Sequence, residues 1–166
     1  MIDNTLTKFE EAIDEEIRAY ENMEDLYKLK QAILIQGKSD VLWDVDAKIV
    51  DNMKNIRNLN SKRKEVAKYL GDENFTISDV IDKAKLSNDT LAKKLTEQKV
   101  KLNVLSSSLS LYEKTNLDLI KHGLVMVGKK LNIIVNTVLP PPNQYNSNGK
   151  TIGNEKIEIS SIVEEA

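Results

Sequence analysis

LAKKLTEQKVKLNVLSSSLSLYEKTNLDLIKHGLVMVGKKLNIIVNTVL, residues 91–139, decides the fold. Taken in alternating steps of four and three, it yields Leu91, Leu95, Gln98, Leu102, Leu105, Leu109, Tyr112, Asn116, Leu119, Gly123, Met126, Lys130 and Ile133. Charged and polar residues fill most positions between them, so the segment predicts one long helix of the coiled-coil kind. At about 1.5 Å per residue it would reach roughly 70 Å, more than twice the width of a small domain. A stripe of that length needs partners, from this chain or from another molecule.

The preceding residues supply two of them. Asn4 or Thr5 can cap a first helix running to about Ile35, with Leu6, Phe9, Ile13, Ile17, Tyr20, Met23, Tyr27 and Leu34 on one side. Leu26, Leu29 and Ile33 widen that stripe toward its end, which calls for two neighbours there. The acidic residues between Glu10 and Asp25 suit the positive end of the helix dipole. Gln36-Gly37-Lys38-Ser39 reads as a turn, and a second helix follows from about Val41 to Leu70. Leu42, Val45, Ile49, Met53, Ile56, Leu59, Val66 and Leu70 form its apolar side, and Trp43 is expected in the core near the turn. A short turn makes the two helices antiparallel. The basic later half of the second (Lys54, Arg57, Lys62, Arg63, Lys64, Lys68) should then lie beside the acidic half of the first.

Gly71 closes the second helix. Thr76-Ile77-Ser78-Asp79 forms a capping box with Asp in place of Glu, opening a short helix to about Lys85. Phe75, Ile77, Val80 and Ile81 should plug the open end of the hairpin. Ser87 or Asn88 caps the long helix, which Pro140-Pro141-Pro142 ends. Asn116, polar within the apolar seam, is expected to set register. The fold class is therefore all-α: an elongated antiparallel helical hairpin or three-helix coiled-coil bundle over residues 1–139. A Pro-initiated flexible tail, residues 140–166, follows; its one alternating piece is Lys156-Ile157-Glu158-Ile159.

The same residues exclude several kinds of chemistry. A formal charge of -2 gives no broad basic field, so no nucleic-acid partner is expected. The apolar region 117–139 is interrupted by Asp118, Lys121, His122, Lys129 and Lys130, so no direct membrane insertion is expected. No segment has the form of a signal peptide, and the absence of cysteine fits a reducing cytoplasm. His122 is the only histidine and reads as a surface residue near Asp118. Carboxylate-bridged metal sites in bundles need Glu-x-x-His on two helices. Phosphate loops, dinucleotide fingerprints and nucleophile elbows are missing. Neither an enzyme nor a cofactor or metal site is expected; the chain reads as a binding protein.

Helix lengths locate the surface that does the binding. The first two helices have about thirty residues each, and the long one draws level with Gly37 near residues 118–120. Beyond that point it should overhang without a partner in the chain, and there it is richest in apolar residues. These are Leu119, Ile120, Leu124, Val125, Met126, Val127, Leu131, Ile133, Ile134, Val135, Val138 and Leu139. Residues 124–127 are apolar on every side, and Gly123 and Gly128 loosen the helix. This pattern suits the docking of another amphipathic helix.

Several stretches together resemble the FlgN-like flagellar export chaperones. They are a leading pair of heptad helices, basic residues followed by VAKYLG, the short TISDVI helix, YEKTNLDLI, and Tyr145 four residues before Gly149. Members of that family often carry two asparagines near the position of Lys114-Thr115-Asn116, of which only Asn116 matches. The resemblance implies a cytoplasmic, non-enzymatic chaperone of the flagellar type III export system. It would bind terminal helical segments of hook–filament junction proteins, prevent premature assembly and deliver them to the export gate, a membrane protein. Carried over, client binding falls on Asn116, Leu119, Ile120, Leu124, Val125, Val127, Leu131, Ile134 and Val138, and export-gate contact on Tyr145 and Gly149. A monomer or weak dimer is expected. A structural coiled-coil homo-oligomer or adaptor without an export role is the alternative.

Overall fold

A computed structural model describes the backbone of residues 2–71 and 75–138. It contains α1 (Ile2–Gln36), a 3-10 turn (Ser39–Val41), α2 (Leu42–Lys68), α3 (Ile77–Ser87) and α4 (Asp89–Val138). Among the described residues there is no strand, so the fold is all-α. Contacts divide the chain into two units, Met1–Asn116 and Leu117–Ala166.

In the first unit the reversal after α1 is set by Gly37, whose φ of 67° lies in the left-handed region. Its amide donates to the Leu34 carbonyl and the Lys38 amide to the Ile33 carbonyl, each at 3.2 Å. Together these bonds satisfy two of the last carbonyls of α1, and glycine takes that φ without a Cβ penalty. The chain then turns back as α2. One α1 stripe serves the whole unit. Leu6, Phe9, Ile13 and Ile17 bury against Ala67 and Leu70 at the end of α2, Val80, Ile81 and Ala84 of α3, and Ala92, Leu95, Leu102 and Leu105 of α4. Further along, Met23 and Ile33 bury with Val45, Ile49 and Leu109.

The capping box opens α3 as expected. Thr76 Oγ1 accepts from the Asp79 amide at 3.3 Å, and the Asp79 carboxylate accepts from the Thr76 amide at 2.8 Å. Bonds from the Thr76 side chain and backbone hold the Asp79 carboxyl below its ordinary range. Lys83 lies 4.5 Å from the Phe75 ring centre and donates to the Leu70 carbonyl, which ties α3 to the end of α2. Asn88 alone separates α3 from α4, and its Oδ1 accepts from the Leu91 amide at 3.1 Å.

Polar contacts fix the register. Between α1 and α2, Asn52 donates to the Ala19 carbonyl at 2.9 Å, and Arg63 pairs with Glu16 at 2.6 Å. Between α1 and α4, Gln98 Nε2 donates to Glu10 at 2.9 Å and Asp14 at 2.6 Å. Lys94 pairs with Glu10, and Lys101 with Glu21, each at 2.6 Å. Ser108 bonds to Glu24, and Asn116 donates to the Tyr27 carbonyl at 3.1 Å. The order of these partners makes α4 parallel to α1 and antiparallel to α2. The acidic face of α1 is thus shared between two helices. Glu10, Asp14, Glu21 and Glu24 project on one flank of the stripe, and Glu16 projects on the other, where α2 meets it.

Trp43 corrects an expectation: it is 81% exposed. The inward positions at the start of α2 are filled by Leu42 and Val45, and Trp43 lies about 100° round the helix from Leu42. Phe9 and Trp43 therefore differ sharply in consequence. Phe9→Ala should lower the free energy of unfolding by about 3–5 kcal/mol, because a fully buried ring leaves a cavity. Trp43→Phe should change it by less than about 0.5 kcal/mol. Urea titration followed by circular dichroism measures both. The native Trp43 emission should be that of a hydrated indole; a blue-shifted native spectrum would place it back in the core.

Candidate docking surface

The described part of the second unit is the α4 segment 117–138. Leu117, Leu124, Val125, Met126, Val127, Leu131, Ile133 and Ile134 are each 42–66% exposed. Leu119, Ile120 and Val135 are half-buried. Upstream in the same helix, Leu95, Leu102, Leu105 and Leu109 are buried. A run of large apolar side chains left in water is a candidate interaction surface.

The residues expected to bind a client fall into three groups. Leu119, Ile120, Leu124, Val125, Val127, Leu131 and Ile134 share this segment, and Val138 closes the helix. Asn116 is in the first unit, 3% exposed, and its bond to Tyr27 pins α4 to α1. Its Oδ1 is buried without a partner. Tyr145 and Gly149 lie outside the described residues.

Periodicity organises the exposed side chains. Leu117, Ile120, Leu124, Val127, Leu131, Ile134 and, by position, Val138 follow one another at alternating steps of three and four. Leu119, Met126 and Ile133, seven apart, form a second line. The seam that ends at Asn116 therefore restarts one residue later. Steps counted straight through Gly123 and Lys130 pass over Leu117, and the signal that recovers it is this restart. Lys121, Lys129 and Lys130 stand against the single acid Asp118, so the segment is basic. A Cβ added at Gly123 or Gly128 would meet nothing within 4 Å.

The first unit holds a groove of about 330 Å³ that the sequence did not reveal, lined by Tyr20, Met23, Tyr27, Met53, Ile56 and Leu109 among others. Burial pushes the Tyr20 and Tyr27 phenols above their ordinary pKa, so both stay neutral at neutral pH. Among the described residues no helix is long and apolar enough to cross a membrane. No group of three or more His, Cys, Asp or Glu among them is placed to hold a metal ion.

The family model described as FlgN protein matches residues 1–152, and the chain belongs to that family, one of flagellar export chaperones that bind export substrates. No match was found among curated proteins or among solved structures.

Asn116 yields a test of the seam. Replacing it with leucine removes a buried, unpartnered oxygen, whose cost is about 1–3 kcal/mol. The Tyr27 carbonyl keeps its bond within α1. Asn116→Leu should therefore raise the urea midpoint, by about 1 kcal/mol of stability. A lower midpoint would show that the carboxamide is fully paired in solution.

Proposed function

We propose that this FlgN-family chaperone holds the terminal helical segments of hook–filament junction proteins on the α4 face of residues 117–138. Bound there, the segments cannot assemble prematurely, and the complex is delivered to the export gate. One observation carries the reading: a heptad-spaced apolar face on a fifty-residue helix is left in water over its last turns. An amphipathic client helix laid along it would bury Leu124, Val127, Leu131 and Ile134 in the helix-in-groove manner. Each of these residues has roughly half its surface still to bury. Full burial of such a side chain is worth about 1.5–3 kcal/mol, so several together are needed to offset the cost of association.

Asn116 enters this reading as the residue that positions α4, because it is buried beneath the surface. The assignment of Tyr145 and Gly149 to the export gate rests on the family resemblance, and the cytoplasmic setting on that resemblance together with the absence of cysteine.

Leu124→Asp with Leu131→Asp provides the test. Both side chains are about half exposed, so the thermal melt should stay within a few degrees of the parent, as for surface substitutions generally. Calorimetric titration with a C-terminal helical fragment of a hook–filament junction protein should lose its heat of binding, since two carboxylates would be buried unpaired. Retained binding would move the client elsewhere. A collapsed melt would mean that the face is internal to the fold.

A further inference from the structure

We infer that the exposed face of α4 is built to hold two partner helices at once, each flanked by acidic residues, and that a single helix covers only half of it. The inference rests on the docking reading above. It starts from angles. At about 100° per residue, the line through Leu117, Leu124 and Leu131 and the line through Leu119, Met126 and Ile133 lie about 160° apart. Asp118, Lys121, His122, Lys129, Asn132 and Asn136 gather on the remaining side, with Val125 the one large apolar residue among them. The apolar arc is thus roughly twice the stripe of about 100° that faces one neighbour.

Residue type agrees. Leu117, Leu124 and Leu131 occupy the a positions of the heptad, and Ile120, Val127 and Ile134 the d positions. In parallel coiled coils, leucine at a with isoleucine at d shifts assembly from two strands toward four. Gly123 lies in the channel between the two lines, with no atom within 4 Å of where a Cβ would stand, so neighbouring backbones can approach closely there.

Charge selects the occupant. Lys130 sits in the same channel, while Lys121 and Lys129 border the outer edges. A second copy of this chain would bring those lysines against its own, with Asp118 as the one acid of the segment. An open helical hairpin, its two helices straddling α4 roughly 20 Å apart and carrying Asp or Glu beside their apolar seams, would pair with all three lysines.

The experiment uses the full chain and three synthetic probes: an acid-flanked helical hairpin with Leu/Ile seams, and each of its helices alone. Isothermal titration should give a one-to-one complex with the hairpin, roughly a hundredfold tighter than either helix, because the second contact becomes intramolecular. Met126→Asp should reduce hairpin affinity to that of a single helix while leaving single-helix binding unchanged. Lys130→Glu should weaken the hairpin by about tenfold at low salt, with less effect as salt rises. Equal affinity for hairpin and single helix, or an unaffected Met126→Asp, overturns the two-helix inference and leaves the docking reading standing. A chain that binds no probe overturns both. A tetramer of the chain alone in light scattering assigns the face to further copies and also overturns both.

Discussion

The α1 stripe is wider than any one helix can cover, and the rest of the first unit follows from that. Leu6, Phe9, Ile13 and Ile17 reach α2, α3 and α4 together, so no two of the helices complete the core without the third. Apolar packing alone would leave them free to slide, because one leucine resembles the next at seven-residue spacing. Side-chain polar groups remove that freedom. Asn52 and Arg63 lock α2 to α1, and Gln98 and Asn116 lock α4. The Glu16–Arg63 pair is the most enclosed, with Glu16 2% exposed and Asn60 also donating to it at 3.3 Å. Removing either partner of such a pair leaves an uncompensated buried charge, which is strongly destabilising.

Helix α4 meets two environments along one unbroken backbone. Up to Asn116 its seam is buried; after it, leucine, isoleucine, valine and methionine are left half in water. Such exposure disfavours the free protein and rewards whatever covers it. The glycines lower helix propensity by about 1 kcal/mol each relative to alanine, so the surface is also less stiff than its length suggests. Both properties fit a holding protein whose partner arrives and leaves as a whole.

Most of the fold was legible because its signals are local. The three-and-four spacing gave the helices, Gly37 the reversal, and Thr76 with Asp79 the start of α3. Trp43 misled because a large aromatic beside a turn implies burial, yet the pitch of α2 had already given the inward positions to Leu42 and Val45. The acidic face of α1 pointed to α2, and its division between α2 and α4 required knowing which flank each carboxylate occupies. For the exposed apolar part of α4, the residues were legible as a list but not as a geometry. The restart of the seam at Leu117 is a one-residue phase change, visible only once Asn116 is seen to close the packed part. Tyr145 and Gly149 carry no spatial information of this kind.

Chain distance between contacting residues has a consequence in time. The polar contacts of α1 with α2 join residues 16–47 apart in sequence, whereas those with α4 join residues 80–89 apart. During synthesis the hairpin of α1 and α2 can close while the residues of α4 are still being added. At about 5–20 residues per second, several seconds separate the two events. Throughout that interval the α1 flank carrying Glu10, Asp14 and Glu21 stands open as a negatively charged face. The lysines of α4 then find their carboxylates on a surface already assembled.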